Sequence, residues 1–251
     1  MERVRKKKIY IKKIGDFGGY AVWYVDGYWI RKNLDRAFTN FAGHRHLVFI
    51  PKDEFWIDQE SKKKEARYFI DNFIVIEREL KNGKSFADAA KIADKIEKRE
   101  RGKSGIVKRL KKIKSREKVL AEVRKKILFG KYTKNLKIWQ VRGDLVRSLF
   151  YLDFTEGGHD KVYDFIPENE VWIDDDVYKK EIPYVLIHEL CERKLMAKGW
   201  KYDPTGQGVF SRKKGKKSAH FAAEKREFWC REHPKRIMGV LKREIKENEK
   251  I

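Results

Sequence analysis

The hydrophobic pattern of the first hundred residues changes from alternation to helical spacing. Apolar and polar residues alternate over residues 8–11 and Tyr20–Val25, and a short apolar run covers residues 46–50. These three segments are typical of short strands. Apolar residues then recur every three or four positions over residues 63–81 and 85–101, and the second of these segments opens on a serine suited to an N-cap. We therefore predict short strands followed by two helices.

The second half of the chain repeats this order. Strand-like segments occur around residues 149–151, 162–165 and 170–173. Two helices should follow, one over residues 183–198 that opens on a proline and ends before Gly199, and one over residues 218–232 that ends before Pro234. Strands that precede a group of helices, instead of alternating with single helices, indicate an α+β architecture. We predict an α+β fold in which a unit of short antiparallel strands followed by two helices is present twice.

The repetition extends to individual residues. Residues 49–58 and 165–174 are 116 positions apart, and seven of their ten positions are identical. The same offset continues without a gap from Val25 to Gly83 of the first copy. An ungapped register of this length indicates an internal duplication. Each copy then serves as a control for the other, because positions set by the fold should agree and positions set by chemistry should differ.

This comparison divides the chain into three parts. Residues 1–101 form the first copy, residues 131–251 form the second, and residues 102–130 join them. Apolar residues of the joining segment recur at helical spacing and its other face is strongly basic, so we predict a basic amphipathic helix between the copies. The second copy also contains an inserted basic loop at residues 204–217, rich in glycine and lysine.

The composition favours an intracellular, cytoplasmic protein. No run approaches the roughly 18 uncharged apolar residues of a membrane span. The N-terminus lacks the apolar stretch of a signal peptide, and two cysteines do not make a disulfide scaffold. Abundant lysine and glutamate with few glutamines are typical of a hyperthermophile's surface. That pattern explains the number of charges but not the net charge of +23.

The positive excess indicates an anionic partner, most simply nucleic acid or another polyanion. A solvated, lysine-rich surface explains the same charge equally well. The candidate nucleic-acid contacts are basic residues of the joining segment and of the inserted loop, namely Lys108, Arg109, Lys111, Lys112, Arg116, Arg124, Lys125, Lys213 and Lys214.

The two copies differ at one group of residues. The second copy carries four polar residues that could form a metal site: His188, Glu189, Glu192 and His220. Their counterparts in the first copy are Asn72, Phe73, Ile76 and Ala90. The potential ligands are therefore confined to the second copy, whereas the apolar packing positions remain in both.

His188 and Glu192 lie four residues apart on a predicted helix, so both side chains project from one face. An imidazole nitrogen and a carboxylate oxygen in this arrangement can share one divalent cation, and we predict His220 as the third ligand. Glu189 occupies the place of the general base in the HExxH metallopeptidase motif, although a glutamate at the fifth position makes the motif HExxE here. Zinc is the first candidate, and the carboxylate also suits manganese or iron.

Four further residues could complete or surround this site. Glu227 and Glu224 share a helix face with the third ligand, but Glu97, the counterpart of Glu227, persists in the copy without histidines, so a supporting role explains Glu227 better. Asp153 is a candidate ligand from outside the two helices. His159 follows two glycines, and because the first copy keeps a histidine nearby we interpret this segment as a turn.

A structural explanation of the same residues stays open. Charged helices often contain a short HExxE match, so His188 could be a buried histidine with satisfied hydrogen bonds and Glu192 a surface partner of a lysine. The apolar run before His188 and the joint loss of the cluster from the first copy argue against this explanation.

Residues 141–234 contain an ordered series of short motifs, namely Gly157-Gly158-His159, Phe165 to Asp174, His188 to Met196, Gly199, Tyr202-Asp203, Ala219-His220, Ala223 and Glu227. In order and spacing this series resembles a family of small, uncharacterised bacterial and phage proteins. The resemblance implies a metallopeptidase-like site with an HExxE…AH…E pattern. The insertion after Asp203 and the degenerate first copy depart from the family's pattern, which suggests that the first copy is a scaffold, a dimer-like partner or a substrate-docking half.

The leading hypothesis is a metal-dependent hydrolase that acts on a peptide-like bond, with one divalent cation in the second copy and Glu189 as general base. The alternative is a nucleic-acid-binding protein, for DNA or RNA, in which a metal is structural or absent. A metal-dependent nuclease would combine both functions, but nuclease sites for hard cations usually contain more carboxylates.

Overall fold

A computed structural model of the chain describes residues 9–203 and 218–251. The chain forms two compact units. Unit 1 comprises the described residues up to Val119 together with Asp144–Thr155, and unit 2 comprises Leu120–Gly143 and the described residues from Glu156 to Ile251. Within the described ranges, no helix is both long enough and apolar enough to cross a membrane.

The first half of the chain forms a sheet and three helices. In chain order the elements are β1 (Tyr10–Phe17), β2 (Tyr20–Val25), α1 (Gly27–Asn33), β3 (Phe41–Gly43), β4 (Glu54–Asp58), α2 (Ala66–Lys81) and α3 (Phe86–Gly102).

The second half repeats this order after two short helices and adds one helix at its end. The elements are α4 (Gly105–Lys111), α5 (Arg116–Val123), β5 (Arg124–Ile127), a 3-10 turn (Gly130–Tyr132), β6 (Lys137–Val141), α6 (Gly143–Leu149), β7 (Gly157–His159), β8 (Glu170–Asp174), α7 (Ile182–Ala197), α8 (Ala219–Glu232), a second 3-10 turn (Pro234–Arg236) and α9 (Ile237–Asn248).

The two sheets have the same strand order, β1-β2-β4-β3 and β5-β6-β8-β7. The central pair runs parallel in each sheet, and each outer strand runs antiparallel to its neighbour. The central register pairs Trp23 with Trp56 in one sheet and Trp139 with Trp172 in the other, which preserves the 116-residue offset. The α+β prediction is confirmed, but the sheets are mixed and not antiparallel throughout, because a long crossover connects β2 to β4 and β6 to β8.

A glycine begins the equivalent helices α1 and α6 for the same reason in both units. Gly27 lies directly over the carboxylate of Asp58, and Gly143 lies over that of Asp174. A Cβ at either glycine would overlap with the carboxylate, so the fold admits only glycine at both positions.

The four predicted helices are confirmed as α2, α3, α7 and α8. Ser85 caps α3 by accepting a hydrogen bond from the Asp88 N–H at 3.1 Å, as its position predicts. Long segments with regular apolar spacing are predicted reliably as helices, because a helix on the surface of a protein buries one apolar face.

Three of the predicted strands are wrong. Residues 46–50 and 162–165 form turns, and residues 149–151 are the end of α6 and the two residues after it. In the first turn the Ile50 N–H donates to the Leu47 carbonyl at 3.0 Å, and Ile50 fills the core of unit 1 from this position. A short apolar run predicts burial but does not distinguish a strand from a buried turn.

The single basic helix predicted over residues 102–130 is also wrong. Residues 112–115 separate α4 from α5, and β5 joins the sheet of unit 2 through its pairing with β6. Arg124 forms an ion pair with Glu170 at 2.6 Å, and Lys125 forms one with Asp175 at 2.9 Å. Two predicted nucleic-acid contacts are therefore ion-pair partners within unit 2.

The compact units interleave along the chain, unlike the predicted division at residues 101 and 131. Most of α6 belongs to unit 1, where Arg147 donates to Glu65 at 2.8 Å and to the Phe154 carbonyl at 3.0 Å. Lys62 and Lys64 of unit 1 also pair with Asp144 at the start of this helix. These polar contacts involve residues far apart in sequence, so spacing along the chain does not reveal them.

The core of unit 2 fixes the position of α7. Ile138, Val171 and Ile173 of the sheet pack with Val185 and Leu186 of α7, together with residues of α9. Helix α7 also contacts α8 and β7. The polar residues of the HExxE motif therefore lie where α7, α8 and β7 meet.

Candidate metal centre

Three side chains of unit 2 converge on one point. His188 Nε2 lies 3.2 Å from His220 Nδ1 and 3.5 Å from Glu192 Oε2, and His220 Nδ1 lies 2.9 Å from the same Glu192 oxygen. A tetrahedral cation about 2.1 Å from each ligand requires ligand atoms about 3.4 Å apart. The three atoms therefore have separations suited to ligands of a single cation, and they are the three ligands predicted from the sequence.

Local structure places these three residues. His188 and Glu192 occupy successive turns of α7, whereas His220 lies in the first turn of α8. Ser218 fixes the start of α8, because its Oγ accepts the Phe221 N–H at 3.2 Å and donates to the Tyr202 carbonyl at 2.9 Å. Small, fully buried alanines on α8 leave room for the close packing of this helix.

Glu192 is the most deeply buried of the three, with 4% of its side chain exposed. Its polar partners are His159, His188 and His220, and within residues 9–203 and 218–251 no lysine or arginine pairs with it. Burial alone would raise the pKa of this carboxyl, but the three histidines hold it well below its usual value. A buried carboxylate surrounded by three histidines, with no lysine or arginine beside it in the described residues, suits a metal cation as the balancing charge, and it contradicts the pairing of Glu192 with a surface lysine.

Glu227 orients His188. Its Oε2 accepts a hydrogen bond from His188 Nδ1 at 3.1 Å, which leaves Nε2 facing His220 and Glu192. Its Oε1 pairs with Arg231 at 2.6 Å, and Arg231 pairs with Glu181 at 2.7 Å. Burial raises the pKa of the Glu227 carboxyl, but His188 and Arg231 lower it to about 2. A carboxylate that holds the second nitrogen of a ligating histidine is a common support of metal sites.

In unit 2 Arg231 thus lies between two glutamates, an arrangement that we call the Glu–Arg–Glu bracket. Unit 1 contains the same bracket without the candidate ligands. Arg101 pairs with Glu97 at 2.7 Å and with Glu65 at 2.8 Å. Asn72, which takes the place of His188, donates to Glu97 at 2.8 Å. The bracket is therefore present with and without the histidines, which agrees with a supporting role for the corresponding glutamate of unit 2.

This pair of brackets gives a matched prediction. Glu227→Gln is expected to weaken metal binding about 10- to 100-fold, because an amide cannot accept hydrogen bonds from both His188 and Arg231. Glu97→Gln disturbs the equivalent contacts of unit 1 and should leave metal affinity unchanged. Competition with a chelating dye measures both affinities, and equal losses in the two variants would contradict a specific role of Glu227 at the metal.

Glu189 lies on the side of the cluster that faces β7. A Cβ on Gly157 would lie 3.1 Å from both Cγ and Oε1 of Glu189, so the glycine leaves room for this carboxyl. Burial and the charge of Glu192 raise the pKa of Glu189 to about 8. Among the described residues its carboxyl has no hydrogen bond and no ion pair, which leaves it available to a ligand.

His159 is the residue that sequence reasoning placed incorrectly. It ends β7, is fully buried, and lies with Nε2 3.0 Å from Glu192 Oε1. The register pairs His159 with Val171, and the equivalent residue of unit 1 is Gly43, opposite Phe55. The ungapped offset alone would have shown that the first copy lacks this histidine, whereas the neighbouring His44 made the segment look like a shared turn.

The remaining predicted residues lie elsewhere. Asp153 belongs to unit 1, where burial and the charge of Asp94 raise the pKa of its carboxyl. Glu224 is half-buried on α8 and is not among the residues that converge on a cation-sized space in the described part of the chain. Lys213 and Lys214, with the whole inserted loop at 204–217, lie outside the described residues.

A second acidic group, Asp174 to Asp176, also brings three carboxylates together. Its oxygens already have partners in the turn after β8. Asp174 accepts the Asp176 N–H at 2.9 Å, and Asp175 accepts the Gly143 N–H at 3.3 Å and pairs with Lys125. These contacts explain the group as part of the fold of unit 2.

Comparison of the chain with protein-family models, with curated proteins and with solved structures gives no match. The chemistry of the site therefore has to be inferred from its own geometry.

Proposed function

We propose that unit 2 is a metal-dependent hydrolase that acts on a peptide-like bond and holds one divalent cation through His188, Glu192 and His220. The observation that carries this proposal is the convergence of three ligand atoms, 2.9 to 3.5 Å apart, around a buried carboxylate that has no lysine or arginine partner among the described residues. Zinc suits two imidazoles and one carboxylate best, and manganese or iron is the next choice.

The exposure of the ligands favours a catalytic over a structural metal. The side chains of His188 and His220 are 13% and 17% exposed, whereas that of Glu192 is 4% exposed. A cation held from one side by three protein ligands keeps an open position toward solvent, as catalytic zinc sites do, whereas structural sites usually have four protein ligands.

Glu189 has the properties of a general base. A divalent cation at this site would supply Lewis acidity that polarises a carbonyl and activates water. Glu189 would accept the proton from the water that attacks the carbonyl carbon and deliver that proton to the departing amine, so that its carboxyl ends each cycle ionised. The peptide-like substrate is supported by the similarity of HExxE to the metallopeptidase motif.

The direct test is cleavage of a pool of synthetic, unstructured peptides by zinc- or manganese-loaded protein, followed by mass spectrometry. New termini should appear with the loaded protein, vanish after chelation and return when metal is restored. A loaded protein with one bound cation that cleaves no member of a broad pool would contradict the peptidase activity while leaving the metal site intact.

A second candidate, nucleic-acid binding, is supported by the surface of one short segment. Residues Lys108, Arg109, Lys111, Lys112 and Arg116 of unit 1 are all exposed, while Val107 and Leu110 of the same segment are buried. The cations therefore lie on the outer face, where a phosphate backbone could contact them. This face is smaller than predicted, because Arg124 is largely buried against Glu170 in unit 2, with 11% of its side chain exposed.

The triple substitution Lys108→Gln, Lys111→Gln and Lys112→Gln tests this candidate. If these lysines contact phosphates, the slope of log affinity against log salt should become shallower by about 2 to 3. Replacing exposed Lys91, Lys95 and Lys98 of α3 in the same way removes equal charge and should change the slope less. Fluorescence anisotropy with a single-stranded and a duplex oligonucleotide measures both, and equal slopes in the two triple variants would exclude a specific surface at 108–112.

A further inference from the structure

His159 lies beyond the three proposed ligands and contacts one of them. It is the last residue of β7, its side chain is completely buried, and its Nε2 lies 3.0 Å from Glu192 Oε1. The other oxygen of Glu192 faces His220 and His188. The two carboxylate oxygens therefore have different surroundings, one toward β7 and the other toward the proposed cation.

The backbone determines which nitrogen of His159 carries the proton. The Lys161 N–H points at His159 Nδ1 over 3.2 Å, and an amide N–H can only donate. Nδ1 must therefore be the acceptor, which places the hydrogen of the neutral imidazole on Nε2. That hydrogen points at Glu192 Oε1, so His159 is a donor to the carboxylate.

We infer that His159 is a positioning residue that holds Glu192 as a metal ligand bound through one oxygen, and that it is not itself a ligand. This inference rests on the proposed metal centre. By occupying Oε1, the imidazole directs Oε2 toward His188 and His220 and fixes the rotation of the carboxylate. The arrangement complements the one around His188, whose Nδ1 is held by Glu227. Two ligands of the site thus have a dedicated partner on the side away from the cation.

Unit 1 lacks both members of this contact. Gly43 takes the place of His159 in the strand register, and Ile76 takes the place of Glu192 in α2. Phe73, at the place of Glu189, packs so close to Gly43 that a Cβ there would lie 2.8 Å from its ring. The histidine and the carboxylate are present together in one unit and absent together from the other, as expected for residues that act as a pair.

The same residues also suggest an alternative, a second cation between His159, Glu189 and Glu192, whose ligand atoms lie within 4.8 Å of one another. That cation would require the lone pair of His159 Nε2, which would move the hydrogen to Nδ1. Nδ1–H would then point at the Lys161 N–H, and two donors would oppose each other in a buried place. The hydrogen bonding thus favours one cation over two.

Three substitutions at position 159 test the inference through metal binding. Gln can place an amide N–H near the position of Nε2, Met fills a similar volume without a donor, and Asn has a donor on a side chain too short to reach Glu192. His159→Gln should bind zinc within a few-fold of the wild type, whereas His159→Met and His159→Asn should bind it about 10- to 100-fold more weakly. Chelator competition gives the affinities, and elemental analysis should give one cation per chain.

The visible absorption spectrum of bound cobalt reports the geometry of the ligands around the ion. A general loss of protein stability would not change this spectrum. His159→Gln should reproduce the wild-type spectrum, and the other two variants should change its intensity and maxima because Glu192 is free to rotate. Equal affinities and spectra in all variants, or two cations per wild-type chain, would overturn the inference. If the wild type itself binds no zinc or cobalt, the proposed metal centre is wrong, and the role of His159 with it. If the wild type binds one cation, the comparison of the three variants tests the role of His159 alone.

Discussion

The double variant His188→Ala/His220→Ala is expected to purify without metal, whereas the wild type should retain about one divalent cation per chain. The substitutions remove two of the three converging ligand atoms and leave Glu192 Oε2 as the only one. Because the free energy of binding is shared among few ligands, we expect affinity to fall by at least about 1,000-fold. Elemental analysis of untagged protein measures the content directly.

The matched control is His44→Ala/His46→Ala in unit 1. These substitutions also remove two imidazoles, but from positions away from the site: His44 Nδ1 contacts the Ile50 carbonyl at 2.6 Å, and His46 lies against the Phe86 ring. Metal content should therefore match the wild type. After the metal is stripped with a chelator, added zinc should also raise the melting temperature of the wild type and of this control, but not that of the site variant, because a ligand stabilises only a state that binds it. A site variant that keeps its cation, or a wild type that takes up neither zinc nor manganese, would contradict the proposed centre.

The part of the site that the sequence could predict lies within helices. His188 and Glu192 are four residues apart, so helical geometry alone puts their side chains on one face, and the structure shows them converging with His220. The packing of α7 against α8 required only that two consecutive helices with buried residues lie side by side. These inferences depend on local periodicity and on the comparison of the two copies.

The parts that could not be predicted depend on contacts between distant residues. His159 is 33 positions from Glu192 and reaches it only because β7 lies beside α7. Arg124 and Lys125 looked like members of an exposed basic helix, but strand pairing brings them to Glu170 and Asp175. A charge pattern along the chain gives the number of charged residues, whereas tertiary pairing decides which of them have a partner of opposite charge: the Arg124 side chain is only 11% exposed, while Lys125 stays exposed at 47%.

The comparison of the two units separates residues that the fold maintains from those that the chemistry needs. Both units keep the arginine of the bracket over a tyrosine, with Arg101 4.3 Å from the Tyr68 ring and Arg231 4.6 Å from the Tyr184 ring. Both units also keep a glutamate that accepts a hydrogen bond from a side chain of the preceding helix, Glu97 from α2 and Glu227 from α7. What differs is the residue that this glutamate holds, an asparagine in unit 1 and His188 in unit 2. Unit 1 thus keeps the bracket without the candidate ligands.

Glu189→Gln is expected to abolish hydrolysis while leaving the metal and the fold in place. Glutamine has nearly the same shape as glutamate and fits beside Gly157, but an amide cannot accept the proton of the attacking water. Loss of a general base typically costs about 100- to 10,000-fold in rate, so kcat should fall by that factor with little change in KM. Metal content and melting temperature should stay close to those of the wild type, because Glu189 makes no hydrogen bond or ion pair within the described residues.

The control for this change is Glu224→Gln, which alters the same functional group on the neighbouring helix α8, outside the converging cluster. Its kcat should match the wild type on the peptides that the metal-loaded protein cleaves. A Glu189→Gln variant that retained both its cation and full turnover would exclude Glu189 as the base and require another group to take the proton. A variant that lost turnover together with its cation would instead make Glu189 part of metal binding, and all three polar residues of the HExxE motif would then hold the cation, with no separate base among them.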